Sequence, residues 1–170
     1  MKICIASDSH DNWPLLTRAV VEGNTHGCAV LLFAGDLISP PGIDILATFV
    51  GQVHLVLGNN EGELVKLTRM CDATPNITLH GNLNGGTMEL ELDGLHFYMN
   101  HYPKNAELAA LSGKYDVVVF GHTHEYHEDH MANGTILINP GEVQGYRLGR
   151  ASVIIFDTAT RTAERMDLSL

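Results

Sequence analysis

Residues 2–10 read Lys-Ile-Cys-Ile-Ala-Ser-Asp-Ser-His, an apolar run that stops at an acidic residue, Asp8. The run is too short for the hydrophobic region of a signal peptide. Short aliphatic runs of this kind are typical of strands that are buried on both faces of a sheet. Residues 29–33 and 53–57 repeat the pattern at helix-length intervals. The first third of the chain therefore predicts alternating strands and helices.

Helix signals lie between these strands and recur further along the chain. Asp11-Asn12 can cap a first helix that has Pro14 in its first turn, and either Gly23 or Gly27 can end it. Apolar residues at helical spacing predict three more helices, over residues 42–50, 61–70 and 104–111.

After Pro75 the pattern changes to strands. Residues 87–92 alternate polar and apolar side chains, Asp93-Gly94 is a tight-turn pair, and residues 95–99 are apolar again, which predicts a hairpin. No repeat or linker interrupts the chain, so we expect residues 1–170 to form one α/β (α+β) domain in which helices flank two packed sheets. The remaining strands are predicted over residues 117–120, 127–131, 135–138, 152–156 and 163–168.

Composition and charge argue against several classes of function. The formal net charge is −10 without a cluster of Lys or Arg, so we expect no binding of long nucleic acids. No apolar run approaches the ~20 residues of a membrane span, so no membrane association is expected. Three cysteines, an odd number without CxxC spacing, indicate reduced thiols and a cytoplasmic location. A homo-oligomer is compatible with the sequence.

Metal-binding side chains follow the predicted strands in five short segments. Because loops at the carboxyl ends of strands converge on one edge of a sheet, these side chains are expected to meet. Taken singly, the segments could be a helix cap, turns or a structural histidine, but their shared position favours a metal site. The segments are Asp8-Ser9-His10, Gly35-Asp36, Gly58-Asn59-Asn60-Glu61, Asn100-His101 and Gly121-His122-Thr123-His124.

The donor set of these segments suits two divalent cations. Mixed carboxylate and imidazole ligands favour Mn, Fe, Co, Ni or Zn over Ca. A bridging carboxylate is needed to hold two cations roughly 3.5 to 4 Å apart, and Asp36 is the central candidate. Two such ions would draw a small phosphate ester to an otherwise acidic protein. The candidate metal ligands are Asp8, His10, Asp36, Asn59, His101, His122 and His124.

In this order the segments resemble the pattern of the calcineurin-like metallophosphoesterases: Asp-x-His, Gly-Asp, Gly-Asn-His-Asp/Glu, a later His, and Gly-His-x-His. The similarity spans nearly the whole chain. Residues 58–63, 115–118 and 138–142 look like signatures of the small single-domain phosphodiesterases of archaea and bacteria. The resemblance implies a four-layer αββα sandwich of two mixed sheets. It also implies one metal held by Asp8, His10, Asp36 and His124, and a second held by Asp36, Asn59, His101 and His122.

The expected activity is hydrolysis of a small phosphodiester by a hydroxide that bridges the two metals. Mn²⁺ or Ni²⁺ is favoured, with Fe, Co, Zn or Mg as alternatives. We expect Asp36, His101 and Asn60 to act in catalysis. Glu142 could orient a ligating histidine or could simply lie in a strand-ending turn. Asp11 and Glu61 could accept hydrogen bonds that support the metal site or could lie at helix starts, and the second interpretation is favoured.

Asn60 is a chemically important departure from the wider family, many members of which carry a histidine at this position. An amide can donate hydrogen bonds to a phosphoryl oxygen, but it cannot transfer a proton at neutral pH. We therefore expect slower turnover and a preference for good leaving groups. Two alternatives follow: a weak or inactive scaffold, like the phosphoesterase-like subunit of the retromer coat, or a metal-dependent nucleotidase or nuclease.

Overall fold

The computed structural model describes residues 1–81 and 86–170, and these contain helices that alternate with strands in the first half. The helices are α1 (Trp13–Thr25), α2 (Pro41–Leu46), α3 (Leu64–Ala73) and α4 (Pro103–Leu111). The strands are β1 (Lys2–Ala6), β2 (Val30–Phe33), β3 (Gln52–Val56), β4 (Ile77–His80), β5 (Thr87–Leu92), β6 (Leu95–Asn100), β7 (Val117–Val119), β8 (Tyr126–His130), β9 (Ile136–Pro140), β10 (Ala151–Asp157) and β11 (Thr162–Leu168).

The strands form two mixed sheets. The first has the order β11-β10-β1-β2-β3-β4, in which β1 to β4 are parallel, β10 pairs antiparallel with β1, and β11 pairs antiparallel with β10. The second has the order β5-β6-β7-β9-β8, with a parallel centre and an antiparallel hairpin at each edge. The prediction of two mixed sheets flanked by helices is confirmed.

Three apolar clusters hold the layers together. Helices α1, α2 and α3 pack on one face of the first sheet, where Leu16 and Leu67 meet Phe33. The opposite face packs against the second sheet, and Phe97 meets Phe156 edge to face there. Helix α4 covers the outer face of the second sheet through Ala106 and its neighbours. Alternate residues of β1 belong to the first two clusters, which is why its sequence is apolar without interruption.

Local signals fixed several boundaries correctly. Asn12 caps α1 by accepting a hydrogen bond from the Leu15 N–H, and Gly27 takes a left-handed φ of 69° just after the helix. Gly27, rather than Gly23, is therefore the residue that follows the helix end. The predicted hairpin is also present, and the tight turn at Asp93-Gly94 has positive φ at both residues.

Two helices and one strand differ from the prediction. Helix α2 covers only Pro41–Leu46 instead of residues 42–50, because Asn76 binds the carbonyl groups of Phe49 and Gly51 and holds that segment as a turn. Helix α3 starts at Leu64 instead of residue 61. Strand β4 (Ile77–His80) was not predicted. A helix long and apolar enough to cross a membrane is absent from the part of the chain that the structure describes.

Candidate metal centre

The ends of five strands from both sheets meet at one edge of the sandwich. Backbone hydrogen bonds join the loops that follow them: the Asp8 N–H donates to the Gly35 carbonyl at 3.0 Å, and the Gly121 N–H donates to the His101 carbonyl at 3.1 Å. The loops after β1 and β2 are thereby joined, as are those after β6 and β7, and the His122 N–H links the two pairs by donating to the Asp8 Oδ2 at 3.0 Å. All seven predicted metal ligands lie on these loops or on the loop after β3.

One group of donors gathers around Asp8. The His124 Nε2 lies 3.4 Å from the Asp8 Oδ1, and the His10 Nε2 lies 3.7 Å from the same oxygen and 3.4 Å from the Asp36 Oδ2. Donor atoms at about 2.1 Å from one ion lie roughly 3.0 to 3.4 Å apart, depending on coordination geometry. Asp8, His10 and His124 therefore have the spacing of ligands to a single cation.

A second group gathers around His101. The His101 Nε2 lies 3.5 Å from the Asp36 Oδ1 and 3.1 Å from the Asn59 Oδ1. The His122 Nδ1 lies 2.8 Å from the same Asn59 oxygen. The two oxygens of Asp36 thus face different groups, Oδ1 toward His101 and Oδ2 toward His10. This is the position that a shared carboxylate would occupy.

Two of the candidate donor atoms are buried without a hydrogen bond from the described protein groups. Asp8 and Asp36 are buried, with 0% and 1% of their surface exposed. Within residues 1–81 and 86–170, the Asp8 Oδ1 and the His10 Nε2 are buried without a hydrogen-bond partner. Two adjacent buried carboxylates are costly unless cations compensate them. The donor set and its unpartnered atoms therefore fit divalent metal ions.

Backbone geometry at the centre is unusual. Asp8, His10, Asp36, His122 and His124 all have left-handed backbones, with φ between 42° and 70°. Each such conformation costs a residue other than glycine about 1 to 2 kcal/mol. Clusters of strained residues of this kind are characteristic of functional sites.

Two motif glycines permit the close approach of the loops. A Cβ atom on Gly121 would lie 2.1 Å from the Ser7 Oγ and 2.7 Å from the Asp8 Oδ2. A Cβ atom on Gly58 would lie 2.2 Å from the Asp36 Oδ1. Any side chain at either position would displace a carboxylate of the candidate centre, which explains why the motifs contain glycine there.

Glu142 orients His124. Its Oε2 accepts a hydrogen bond from the His124 Nδ1 at 2.6 Å, which leaves the Nε2 lone pair free to face Asp8. Its Oε1 accepts the N–H groups of Arg147 and Leu148, both at 2.9 Å. Burial favours the neutral acid, but these hydrogen bonds and His124 hold the pKa of Glu142 below its usual value. Of the two interpretations of Glu142, the structure supports the orienting one.

His101 is oriented in a similar way. Its Nδ1 lies 2.7 Å from the Ala34 carbonyl oxygen. Because a carbonyl oxygen can only accept a hydrogen bond, the Nδ1 must carry the proton. The Nε2 therefore carries the lone pair, and it is this atom that faces Asp36 and Asn59.

Glu61 does not start a helix, so that interpretation was wrong. Its Oε1 accepts a hydrogen bond from the Asp36 N–H at 2.7 Å, and its Oε2 accepts one from the Gly58 N–H at 2.9 Å. Burial, the largest effect, raises the pKa of Glu61. Glu61 thus joins the loops after β2 and β3, and because its carboxylate is used there, helix α3 begins only at Leu64.

Asp11 likewise binds a neighbouring loop instead of capping a helix. Its Oδ1 accepts hydrogen bonds from the Ser39 hydroxyl at 2.6 Å and from the Ser39 N–H at 3.2 Å. Asn12 is the residue that caps α1. The interpretation of Asp11 as a helix-start residue was therefore also wrong.

Sequence reasoning missed one further support, Gln144. Its side-chain nitrogen donates to the Glu142 Oε2 at 2.9 Å, and it lies 2.8 Å from the His124 Nδ1. Its backbone N–H donates to the Asp8 carbonyl at 3.0 Å. The only sequence signal was its position two residues after Glu142, which is too weak to single it out.

Asn60 lies against the shared carboxylate. Its side-chain amide donates to the Asp36 Oδ2 at 2.7 Å, and its backbone N–H lies 3.0 Å from the Asp36 Oδ1. Asn60 and Asn59 are exposed, so the centre opens to solvent on this side.

A sequence model of the calcineurin-like phosphoesterase superfamily domain matches residues 1–161. The chain belongs to this superfamily. It is 33% identical over 160 residues to the phosphodiesterase MJ0936 of Methanocaldococcus jannaschii, a match that covers 93% of both chains. Membership of the phosphoesterase superfamily confirms the family prediction and, with it, the prediction of a phosphoric ester hydrolase.

Solved structures agree with this assignment. The structure of an archaeal phosphodiesterase superposes with a TM-score of 0.89 at 31% sequence identity, covering 99% of this chain and 100% of the other. Vps29 from Entamoeba histolytica, solved with zinc, has a TM-score of 0.67 at 17% identity and covers 98% and 99% of the two chains. The second likeness concerns the phosphoesterase fold alone.

Proposed function

We propose that this protein is a phosphodiesterase that uses two divalent metal ions to hydrolyse small phosphate esters. The observation that carries the proposal is the position of Asp36, whose two carboxylate oxygens face two separate groups of donors. The similarity to an archaeal phosphodiesterase along almost the whole chain supports the choice of a diester.

The proposed ligands divide into two sets that share Asp36. The first set has Asp8, His10 and His124, and the second has Asn59, His101 and His122. Their mixture of carboxylate, amide and imidazole donors favours Mn²⁺ or Ni²⁺, and Fe, Co, Zn or Mg would also be accepted.

Divalent ions held by these residues would supply Lewis acidity, which lowers the pKa of a bound water and offsets negative charge on a phosphoryl group. The chain supplies the orientation. Glu142 and the Ala34 carbonyl fix the rings of His124 and His101, and Glu61 fixes the backbone of Asp36. Asn60 is exposed beside Asp36 and would donate a hydrogen bond to a phosphoryl oxygen, without transferring a proton to the leaving group.

We further propose a cytoplasmic location. The three cysteines are free and buried, and burial raises the pKa of Cys28 and Cys71 to about 11. Thiols of this kind behave as small apolar side chains and favour a reducing compartment.

Hydrolysis of bis(4-nitrophenyl) phosphate and of 4-nitrophenyl phosphate tests the function, each with added Mn²⁺, Ni²⁺ or Mg²⁺ and with a chelator as control. We expect metal-dependent release of nitrophenol, faster from the diester. Lack of metal-dependent turnover of both esters would contradict the proposal and leave the scaffold alternative.

Asp36→Asn tests the shared ligand. The amide keeps the shape of the side chain but lacks the charge needed to hold two cations, so we expect turnover to fall by about 10²-fold or more and bound metal to fall below two ions per chain. Asp44→Asn, on helix α2, is the matched control. If Asp36→Asn kept the full rate and two bound ions per chain, the shared role of Asp36 would be refuted.

A further inference from the structure

An open cavity of about 550 Å³ lies at the start of helix α3, beside the loop after β3 that carries part of the candidate metal centre. Glu61 joins the two, because it lines the cavity and its carboxylate binds the Asp36 N–H at 2.7 Å. The volume falls within the range of about 300 to 1,000 Å³ that is typical of sites for small ligands. The cavity is lined by Glu61, Glu63, Leu64, Val65, Lys66 and Arg69.

Of the four charged residues in this lining, three already have partners. The Glu61 carboxylate accepts backbone N–H groups of Asp36 and Gly58, and the Lys66 Nζ lies 3.6 Å from the Glu63 Oε2. Arg69 is exposed and forms no ion pair within residues 1–81 and 86–170. Its guanidinium is therefore the charge that remains available to a ligand.

The rest of the lining is apolar. Leu64 is half-buried, whereas 57% of Val65 is exposed, an unusual degree for an apolar side chain in a concave surface. A guanidinium binds carboxylate or phosphate oxygens with two parallel hydrogen bonds and also lies flat on ring systems. Together these side chains suit a group with an apolar or flat body and one negative charge.

We propose that this cavity receives the second substituent of the phosphodiester, and that the preferred substituent carries a further anionic group that contacts Arg69. The inference rests on the proposed phosphodiesterase function. Asn60 directly precedes Glu61, which lines the cavity. A phosphoryl group held at Asn60 would therefore lie beside the cavity wall. The substituent that does not leave can extend from the phosphorus over this wall.

Three 4-nitrophenyl phosphodiesters test the proposal, with methyl, phenyl or 4-carboxyphenyl as the second substituent. The leaving group is the same in all three, so differences in kcat/KM report the retained group. For the wild type we expect kcat/KM to rise from methyl to phenyl to 4-carboxyphenyl.

Arg69→Ala should lower the preference for the 4-carboxyphenyl over the phenyl ester by about 3- to 10-fold, the effect of one partly exposed charge contact. Val65→Trp should fill the cavity and lower the preference for both aryl esters over the methyl ester by about tenfold. Arg18→Ala on α1 and Val50→Trp, at a position that is 87% exposed, are the matched controls. Unchanged preferences in both cavity variants would overturn the proposal.

Binding of non-hydrolysable phosphonates separates this inference from the proposed function. Methyl-, phenyl- and 4-carboxyphenylphosphonate are titrated into the Mn²⁺-loaded protein and followed by calorimetry. A selective loss of 4-carboxyphenylphosphonate affinity in Arg69→Ala supports the cavity even when no diester is hydrolysed. Equal affinities of wild type and variant for all three phosphonates, together with unchanged kinetic preferences, would refute it.

Discussion

Asp36 is contacted by residues from several loops, which its position in a Gly-Asp turn does not predict. Its N–H is bound by Glu61, its carboxylate accepts from the amide of Asn60, and its two oxygens face His10 and His101 separately. The conformation of this side chain is fixed by protein groups before any metal contributes. Substitutions around Asp36 are therefore expected to act on metal geometry rather than on folding.

Asn60→His places an imidazole at an exposed position whose side chain binds Asp36. General acid catalysis is worth about 10²- to 10⁴-fold, so we expect turnover of diesters with poor leaving groups to rise by up to about 10²-fold. Diesters of 4-nitrophenol should change little, because that leaving group does not need protonation. The measurement is kcat/KM across phenol esters of increasing pKa.

If the slope of log kcat/KM against leaving-group pKa were the same in Asn60→His and in the wild type, protonation of the leaving group would not limit the rate. Asn60→Gln serves as the control, because it changes the length of the side chain without adding an acid.

Glu142→Gln weakens the orientation of His124. The amide can still accept the N–H groups of Arg147 and Leu148, but it lacks the charge that holds the His124 ring at 2.6 Å. Loss of such a supporting group costs about 10- to 100-fold in metal affinity or activity, and we expect a fall of that size in Mn²⁺ affinity by calorimetry.

Glu128→Gln is the matched control, since the Glu128 carboxylate binds His130 at 2.9 Å on strand β8. A fall of similar size in both variants would show that the effect is not specific to the metal centre.

The convergence of the candidate ligands could be predicted from sequence because each follows a strand, and strand ends converge. The roles of Asp11 and Glu61 could not. A carboxylate just before a helical pattern looks the same whether it caps that helix or reaches another loop. The partners that decide the matter, Ser39 and Asp36, lie 28 and 25 residues away in sequence. Long-range contacts of this kind leave no local signal.

At the scale of elements, the strands whose side chains are buried on both faces were the most predictable. Strand β4 (Ile77–His80) was missed because it lies at the edge of the first sheet, with one buried residue among four. Pairing with β3 makes it a strand, and that pairing also brings His80 within 2.9 Å of His54. An edge strand is defined by its neighbour more than by its own sequence.

The pair of histidines on β3 and β4 predicts sensitivity to acid. Burial, and then the nearby His80, lower the pKa of His54 to about 4, whereas an unfolded chain takes up that proton near pH 6.5. The unfolded state therefore binds more protons between these values, and stability contributed by neutral His54 is lost as pH falls from 6.5 towards 4. His54→Gln should show a smaller decrease in melting temperature over this interval than the wild type.

Thermal unfolding of metal-free protein at several pH values checks this expectation, with His96→Gln, at an exposed position on β6, as control. Parallel curves for wild type and His54→Gln would show that the pair does not contribute to acid sensitivity.

For the whole molecule, one apolar cluster joins the two sheets. Each sheet covers the inner face of the other, so separation of the sheets would expose both faces to water. The cluster includes Leu32 and Phe156 of the first sheet and Phe97 and Val119 of the second. We therefore propose that residues 1–170 form a single cooperative domain. Circular dichroism and the fluorescence of Trp13, the only tryptophan, should give the same unfolding transition.

Metal binding should stabilise this unit as a whole, because the ligands come from both sheets. Free metal at 100 times its dissociation constant adds about 2.7 kcal/mol, which corresponds to a rise in melting temperature of roughly 5 to 10 °C for a chain of this size. Excess chelator should reverse the rise. A chelator-insensitive melting temperature would mean that the ions do not bind across the two sheets.

The left-handed backbones at Asp8, His10, Asp36, His122 and His124 have a consequence for how the centre is loaded. Hydrogen bonds between loops keep these conformations, so the ligands are preorganised and little conformational entropy remains to be lost when ions arrive. The same rigidity means that a ligand can be exchanged in evolution without collapse of the loops. In a centre with this property, a substitution beside the ligands can change catalytic efficiency while the shape of the site persists.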